Sequence, residues 1–144
     1  MFDSPRAQTL DRAECLHLLR SVTVGRVMTT ECAMPAANPV HFTMLDDKAI
    51  IFQVAVGGRV DRATADTVVG FQADEVDPDL MCGWSVTVIG HARHVREPDT
   101  LCRLSRLPLR SWDPREHRVI WMELDRVVGR RLRDQDTRDH NTAA

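Results

Sequence analysis

Ala49-Ile50-Ile51-Phe52-Gln53-Val54-Ala55-Val56-Gly57-Gly58-Arg59-Val60-Asp61-Arg62-Ala63 changes character twice along its length. It opens as an apolar, β-rich run, the pattern of a buried strand. At Gly57-Gly58 the backbone is free to take φ > 0 or to approach a ligand closely. Arg59 follows, and residues 60–64 suit a short helix. This order of strand, glycine turn, cation and helix start suits a phosphate. Amides at a helix start point outward and the dipole there favours an anion, and Arg59 would add a charge-assisted hydrogen bond. Taken alone, the residues read more simply as an ordinary turn with a solvated arginine. The rest of the chain shifts that balance.

Upstream, Asp11 offers an N-cap with Glu14 three residues on, and Cys15, Leu16, Leu18 and Leu19 give residues 11–20 one apolar face. Residues 1–9 read as a loose arm. Val22 to Thr30 is a strand, Pro35 marks a turn, and residues 37–44 are a second strand. Pro39 places the start of that strand at an edge or bulge, since it cannot donate to a ladder. Residues 45–48 turn into the strand quoted above. Downstream, strands are expected over residues 67–74, 85–95 and 117–131, the last bent at Gly129. Residues 75–80 form an acidic loop, residues 98–104 a helix, and residues 106–116 an irregular segment. Six short strands at hairpin spacing, with three short helices, predict a mainly β (α+β), mostly antiparallel barrel. Residues 1–132 are taken as one domain and the polar residues 133–144 as a disordered tail.

Composition narrows the function. With 43% hydrophobic and 28% charged residues, the chain has an ordinary globular make-up. A net charge of −2 gives no basic surplus for nucleic acid. No apolar run approaches the roughly 20 residues that span a bilayer, and the polar N-terminus lacks a signal-peptide core. A cytoplasmic protein with no membrane partner is expected. Cys15, Cys32, Cys82 and Cys102 match no zinc spacing, so mostly buried free thiols are expected.

Other constellations are weaker. His91 and His94 stand three apart on a strand and face opposite sides, so they do not share a metal; no metal site is assigned. Asp74, Glu75, Asp77 and Asp79 lack the glycine and closing glutamate of a calcium loop. No recognisable nucleophile–histidine–carboxylate set appears, and no G-x-G-x-x-G follows a strand. Trp84 reads equally as a core residue with its N–H paired or, with Ser85, as the rim of a planar ligand.

Several of these pieces resemble one family when taken in chain order. They are the helix at residues 10–20 with Val24-Gly25-Arg26-Val27, then Asn38-Pro39-Val40-His41-Phe42, then Ile51-Phe52-Gln53-Val54 with Gly57-Gly58-Arg59. Phe71-Gln72-Ala73-Asp74 and Gly83-Trp84-Ser85-Val86 with Gly90 come next. Ile120-Trp121-Met122-Glu123-Leu124 with Gly129-Arg130-Arg131 closes the set. Together, over about residues 10–131, they look like the pyridoxamine 5′-phosphate oxidase-like proteins, the flavin-binding split barrels. The resemblance implies a six-stranded antiparallel Greek-key split barrel that dimerises and holds FMN in an interface cleft. It implies that Pro39, Val40, His41 and Phe42 line the isoalloxazine, largely through backbone groups. It also implies that Gln53, Val54, Gly58 and Arg59 hold the ribityl phosphate, and that Trp84 and Ser85 lie near the flavin, often from the partner subunit.

The chain departs from the family at three of these places. Members often carry Arg-Thr where Gln53-Val54 stands, Ser-Lys where Gly58-Arg59 stands, and Asn where His41 stands. The arginine-rich pyridoxal-phosphate site of the true oxidases is not recognisable. The resemblance therefore implies an FMN-binding oxidoreductase with a small-molecule substrate and no assigned catalytic residue. A deazaflavin-dependent reductase on the same barrel, a non-catalytic flavin or haem binder, and a purely structural barrel stand as alternatives.

Overall fold

The computed structural model describes residues 7–133; apart from Arg133, the tail expected over 133–144 lies outside them. In chain order the elements are β1 (Ala7–Leu10), α1 (Arg12–Arg20), β2 (Val24–Glu31), β3 (Met34–Leu45), β4 (Ala49–Ala55) and α2 (Arg59–Ala63). They continue with β5 (Thr67–Asp77), β6 (Cys82–His94), α3 (Pro98–Leu104), β7 (His117–Glu123) and β8 (Arg126–Leu132). The continuous apolar run in β4 has a simple cause: its two faces meet two apolar clusters. Ile50, Phe52 and Val54 turn into the barrel with Val27, Phe71, Val88 and Ile120. Ala49 and Ile51 turn outward against Val95 and Leu104, the latter on α3.

All strand pairs are antiparallel. β2, β3 and β4 form a meander and β5 returns beside β2, which is a Greek key. β7 adds to β4 and then meets β6 over Ala92–His94, closing the six strands β2 to β7 into a barrel. The barrel is the expected one; the sheet has eight strands because β8 lies along the first part of β6 and β1 along β8. The arm expected over residues 1–9 is thus β1 from Ala7 onward.

β6 passes one edge from β8 to β7 at Gly90. A Cβ there would sit 1.8 Å from the Glu123 carbonyl oxygen, so glycine lets the β7–β8 corner cross β6. The His91 amide donates to Asp125 Oδ2 at 3.0 Å and fastens that corner. The strand expected over 117–131 is therefore broken at Leu124-Asp125, and not at Gly129. Gly129 stays in register between Leu10 and Val86. Its missing Cβ makes room for Cys15 of α1, whose Sγ lies 2.3 Å from where that atom would be. α1 starts as expected, with the Glu14 amide donating to Asp11 Oδ1 at 2.9 Å.

Three further expectations are corrected. The β2–β3 turn falls at Cys32-Ala33, both at positive φ, with Pro35 inside β3, and residues 75–77 of the acidic loop extend β5. Of the four cysteines only Cys15 is buried, and none is in a disulfide. Among the described residues no helix is long and apolar enough to cross a membrane.

Candidate functional site

The barrel splits between β3 and β4. Their ladder runs from Leu45↔Ala49 to Phe42↔Phe52 and stops. Beyond it, β3 keeps its pairing with β2 through His41↔Val24 and Pro39↔Arg26, while β4 keeps its pairing with β7 through Gln53↔Val119 and Ala55↔His117. The Phe42 amide donates to Thr23 O, on the β2 side, at 3.0 Å. Backbone polar groups alternate along a strand, so those of His41 and Pro39 face the split. Pro39, which has no N–H, loses no ladder bond in that orientation.

Into this split opens a cleft of ≈ 320 Å³. Pro39, Val40, His41, Gln53, Val54, Gly58 and Arg59 all line it, so seven of the ten expected site residues meet on one surface. Phe42 does not present its ring there; it packs edge-on against Phe71 at 4.8 Å, within the barrel. Trp84 is 6% exposed in the same core. Ser85 lies on the outward face of β6, where its hydroxyl accepts from Gln72 Nε2 at 3.2 Å. Within one chain these three side chains stand apart from the cleft.

The glycine turn differs from its expected use. Gly57 takes φ +80° and Gly58 does not. Their amides are used inside the turn: Gly57 donates to Asp61 Oδ2 at 2.7 Å and Gly58 to Ala55 O at 3.1 Å. What the turn offers a ligand is the exposed Arg59 side chain. Asp61, in α2 and lining the cleft, is only 4% exposed. Its Oδ1 accepts from Arg118 Nε at 2.7 Å and lies 3.1 Å from His94 Nε2. Burial pushes the Asp61 carboxyl up, but the Gly57 amide, Arg118 and His94 together hold it below its ordinary value.

Sequence reasoning missed the other wall. Arg110, Ser111, Trp112, Asp113 and Arg115 line the cleft from the segment that enters β7. This segment covers the outer face of β4 and β7 through Leu107 and Leu109. It then reaches across to β3, where the Trp112 ring lies 5.2 Å from that of His41 at an interplanar angle of 58°. Arg115 Nε donates to both Asp113 oxygens at 2.9 Å, and this hydrogen bonding holds the Asp113 carboxyl down at about 2. The available signal was a tryptophan between arginines in a proline-bounded irregular stretch, where a core role is hard to satisfy.

Residues 11–131 match the family model described as pyridoxamine 5′-phosphate oxidase. The chain is 39% identical over 124 residues to the uncharacterized protein Rv0080 of Mycobacterium tuberculosis, across 83% of this chain and 76% of that one. Among solved structures, it is similar to the FAD binding protein from Mycobacterium smegmatis, with 31% identity, a TM-score of 0.76 and coverage of 88% and 98%. It also resembles the conserved protein DIP1874 of unknown function from Corynebacterium diphtheriae. The identity there is 25%, the TM-score 0.73, and the coverage 88% and 98%.

Proposed function

The chain belongs to the pyridoxamine 5′-phosphate oxidase family, and on that premise we propose that it is an FMN-binding oxidoreductase acting on a small molecule as a homodimer. The observation that carries this reading is the split itself: an open backbone edge at Pro39 and His41 shares one cleft with Arg59. A flavin held there supplies the redox chemistry through its ring; the chain holds and orients it. With a flavin bound, the His41 amide would donate to the ring edge, and the carbonyls of Pro39 and His41 would accept from it. Among the described residues no carboxylate pairs with Arg59, leaving its guanidinium for a ribityl phosphate. Asp61 does not repel that phosphate strongly, because Arg118 already answers its charge. FAD in the same cleft is the second reading, favoured by the name of the 31% identical relative.

Titration of the purified chain with FMN, FAD and riboflavin, followed by flavin fluorescence, tests the reading. Arg59→Ala should weaken FMN by about 1.5–3 kcal/mol, the value of a hydrogen bond to a charged group, and leave riboflavin unchanged. Equal losses for both ligands would show that Arg59 does not read the phosphate. No flavin binding at all would end the proposal. Turnover of the loaded protein with a reductant and an acceptor separates an oxidoreductase from a binder.

A further inference from the structure

We propose that Arg110 and Trp112 form a second subsite in the cleft, for a planar aromatic carboxylate, the substrate class of this site. The inference rests on the reading above only in giving Arg59 and the β3 edge to the flavin.

Charge bookkeeping within the cleft is the first support. Asp61 is matched by Arg118, with His94 hydrogen-bonded beside it, and Asp113 is matched by Arg115. Among the arginines that line the cleft, that leaves Arg59 and Arg110 without a carboxylate of the described residues within ion-pair distance. They stand on different walls, Arg59 on α2 and Arg110 on the segment entering β7. A mononucleotide phosphate accounts for Arg59 and leaves Arg110 uncompensated. One uncompensated arginine suits a monoanion, and the planar guanidinium matches a carboxylate bidentately.

Trp112 is the second support. It is 60% exposed, although it lines a cleft and touches His41. The 58° tilt between the two rings means that His41 does not stack on the indole face. A flat ring laid on that face would bury apolar surface in an offset stack. One residue, Ser111, separates Arg110 from Trp112, and both line the same cleft, so the anion and the ring of one small ligand can meet both.

The test uses the full chain saturated with FMN and 2-naphthoate as the probe, followed by titration calorimetry. Binding should be about tenfold tighter than for 2-naphthalenemethanol, which lacks the charge, and tighter than for cyclohexanecarboxylate, which lacks the ring. Arg110→Met should lose about tenfold, with partial recovery in Arg110→Lys. Trp112→Leu should lose several-fold and Trp112→Phe less, with FMN affinity unchanged in all four variants. The proposal is overturned if the alcohol binds as well as the acid, if 2-naphthyl phosphate binds tighter than 2-naphthoate, or if the probe displaces FMN. It is equally overturned if Arg110→Met weakens FMN. Should FMN not bind, 2-naphthoate titrated into the chain alone still decides: sensitivity to Arg110→Met sustains the subsite while the flavin reading fails, and insensitivity removes it.

Discussion

Asp61 is a carboxylate held almost out of water, and it persists because three elements answer it. The glycine turn gives an amide, β7 gives Arg118, and β6 gives His94. Replacing it by Asn leaves Arg118 without its partner. A fully buried ion pair broken in this way costs about 3–5 kcal/mol. Arg118 keeps 32% of its side chain exposed, so we expect Asp61→Asn to cost about 1–3 kcal/mol at neutral pH. The folded-state value lies below the ordinary 3.8. Its stabilisation is therefore full above that pH and is lost as pH falls through the folded value. Urea unfolding should separate the two proteins at pH 7, and the gap should close only as pH falls below the ordinary 3.8 and through the folded value; a gap that does not narrow there would mean the charge is not the cause. This network was not legible in the sequence, since Arg118 and His94 lie far along the chain from Asp61. The histidines were partly legible. Alternation put His91 and His94 on opposite faces, and they do take different partners, His91 with Asp66 at 2.7 Å and His94 with Asp61.

Among the elements, β6 does the most to set the architecture, because it serves both β8 and β7 along one edge. Gly90 is where it changes partner. Gly90→Ala would drive a methyl group into the Glu123 carbonyl, and overpacking of this kind costs about 1–3 kcal/mol. Backbone cannot swing aside as a side chain does, so the upper end is expected. The midpoint of urea unfolding measures it, and a change below about 0.5 kcal/mol, the range of neutral surface substitutions, would show that the corner yields freely. The sequence made the barrel strands readable because each buries at least one face and keeps its apolar spacing. It hid β1, which has only four residues and, among the described residues, pairs with β8 alone. It misplaced the last break because Leu124-Asp125 carries no glycine or proline, whereas Gly129, which looked like a bend, serves to admit Cys15. The cleft's β3 and β4 walls were legible as strands with a glycine turn. The wall from 110 to 115 was not, because an irregular segment has no period to betray which way its side chains point.

At the scale of the molecule, the outward face of β2, β5, β6 and β8 bears on assembly. Register aligns Asp74 with Ser85 and Arg130 in one row, and Arg26 with Gln72, Thr87 and Val128 in the next. Ile89, 44% exposed, follows in a third row beside Arg126. An apolar scatter of this kind, rimmed by arginines, suits a second copy of the chain. Sedimentation equilibrium at micromolar concentration should find a dimer, and Ile89→Asp should return it to a monomer with its fold intact; a wild-type monomer ends the idea. The ladder between β1 and β8 has a consequence of another kind. It joins the first of the described strands to the last, so on the ribosome β1 emerges long before β8 exists. The nascent chain must complete β2 to β7 with that edge open, and the pairing of β1 waits on β8. Such late, sequence-distant pairing is slow and exposes unpaired edges meanwhile, which makes the pace of synthesis, and not only the finished sequence, a determinant of yield.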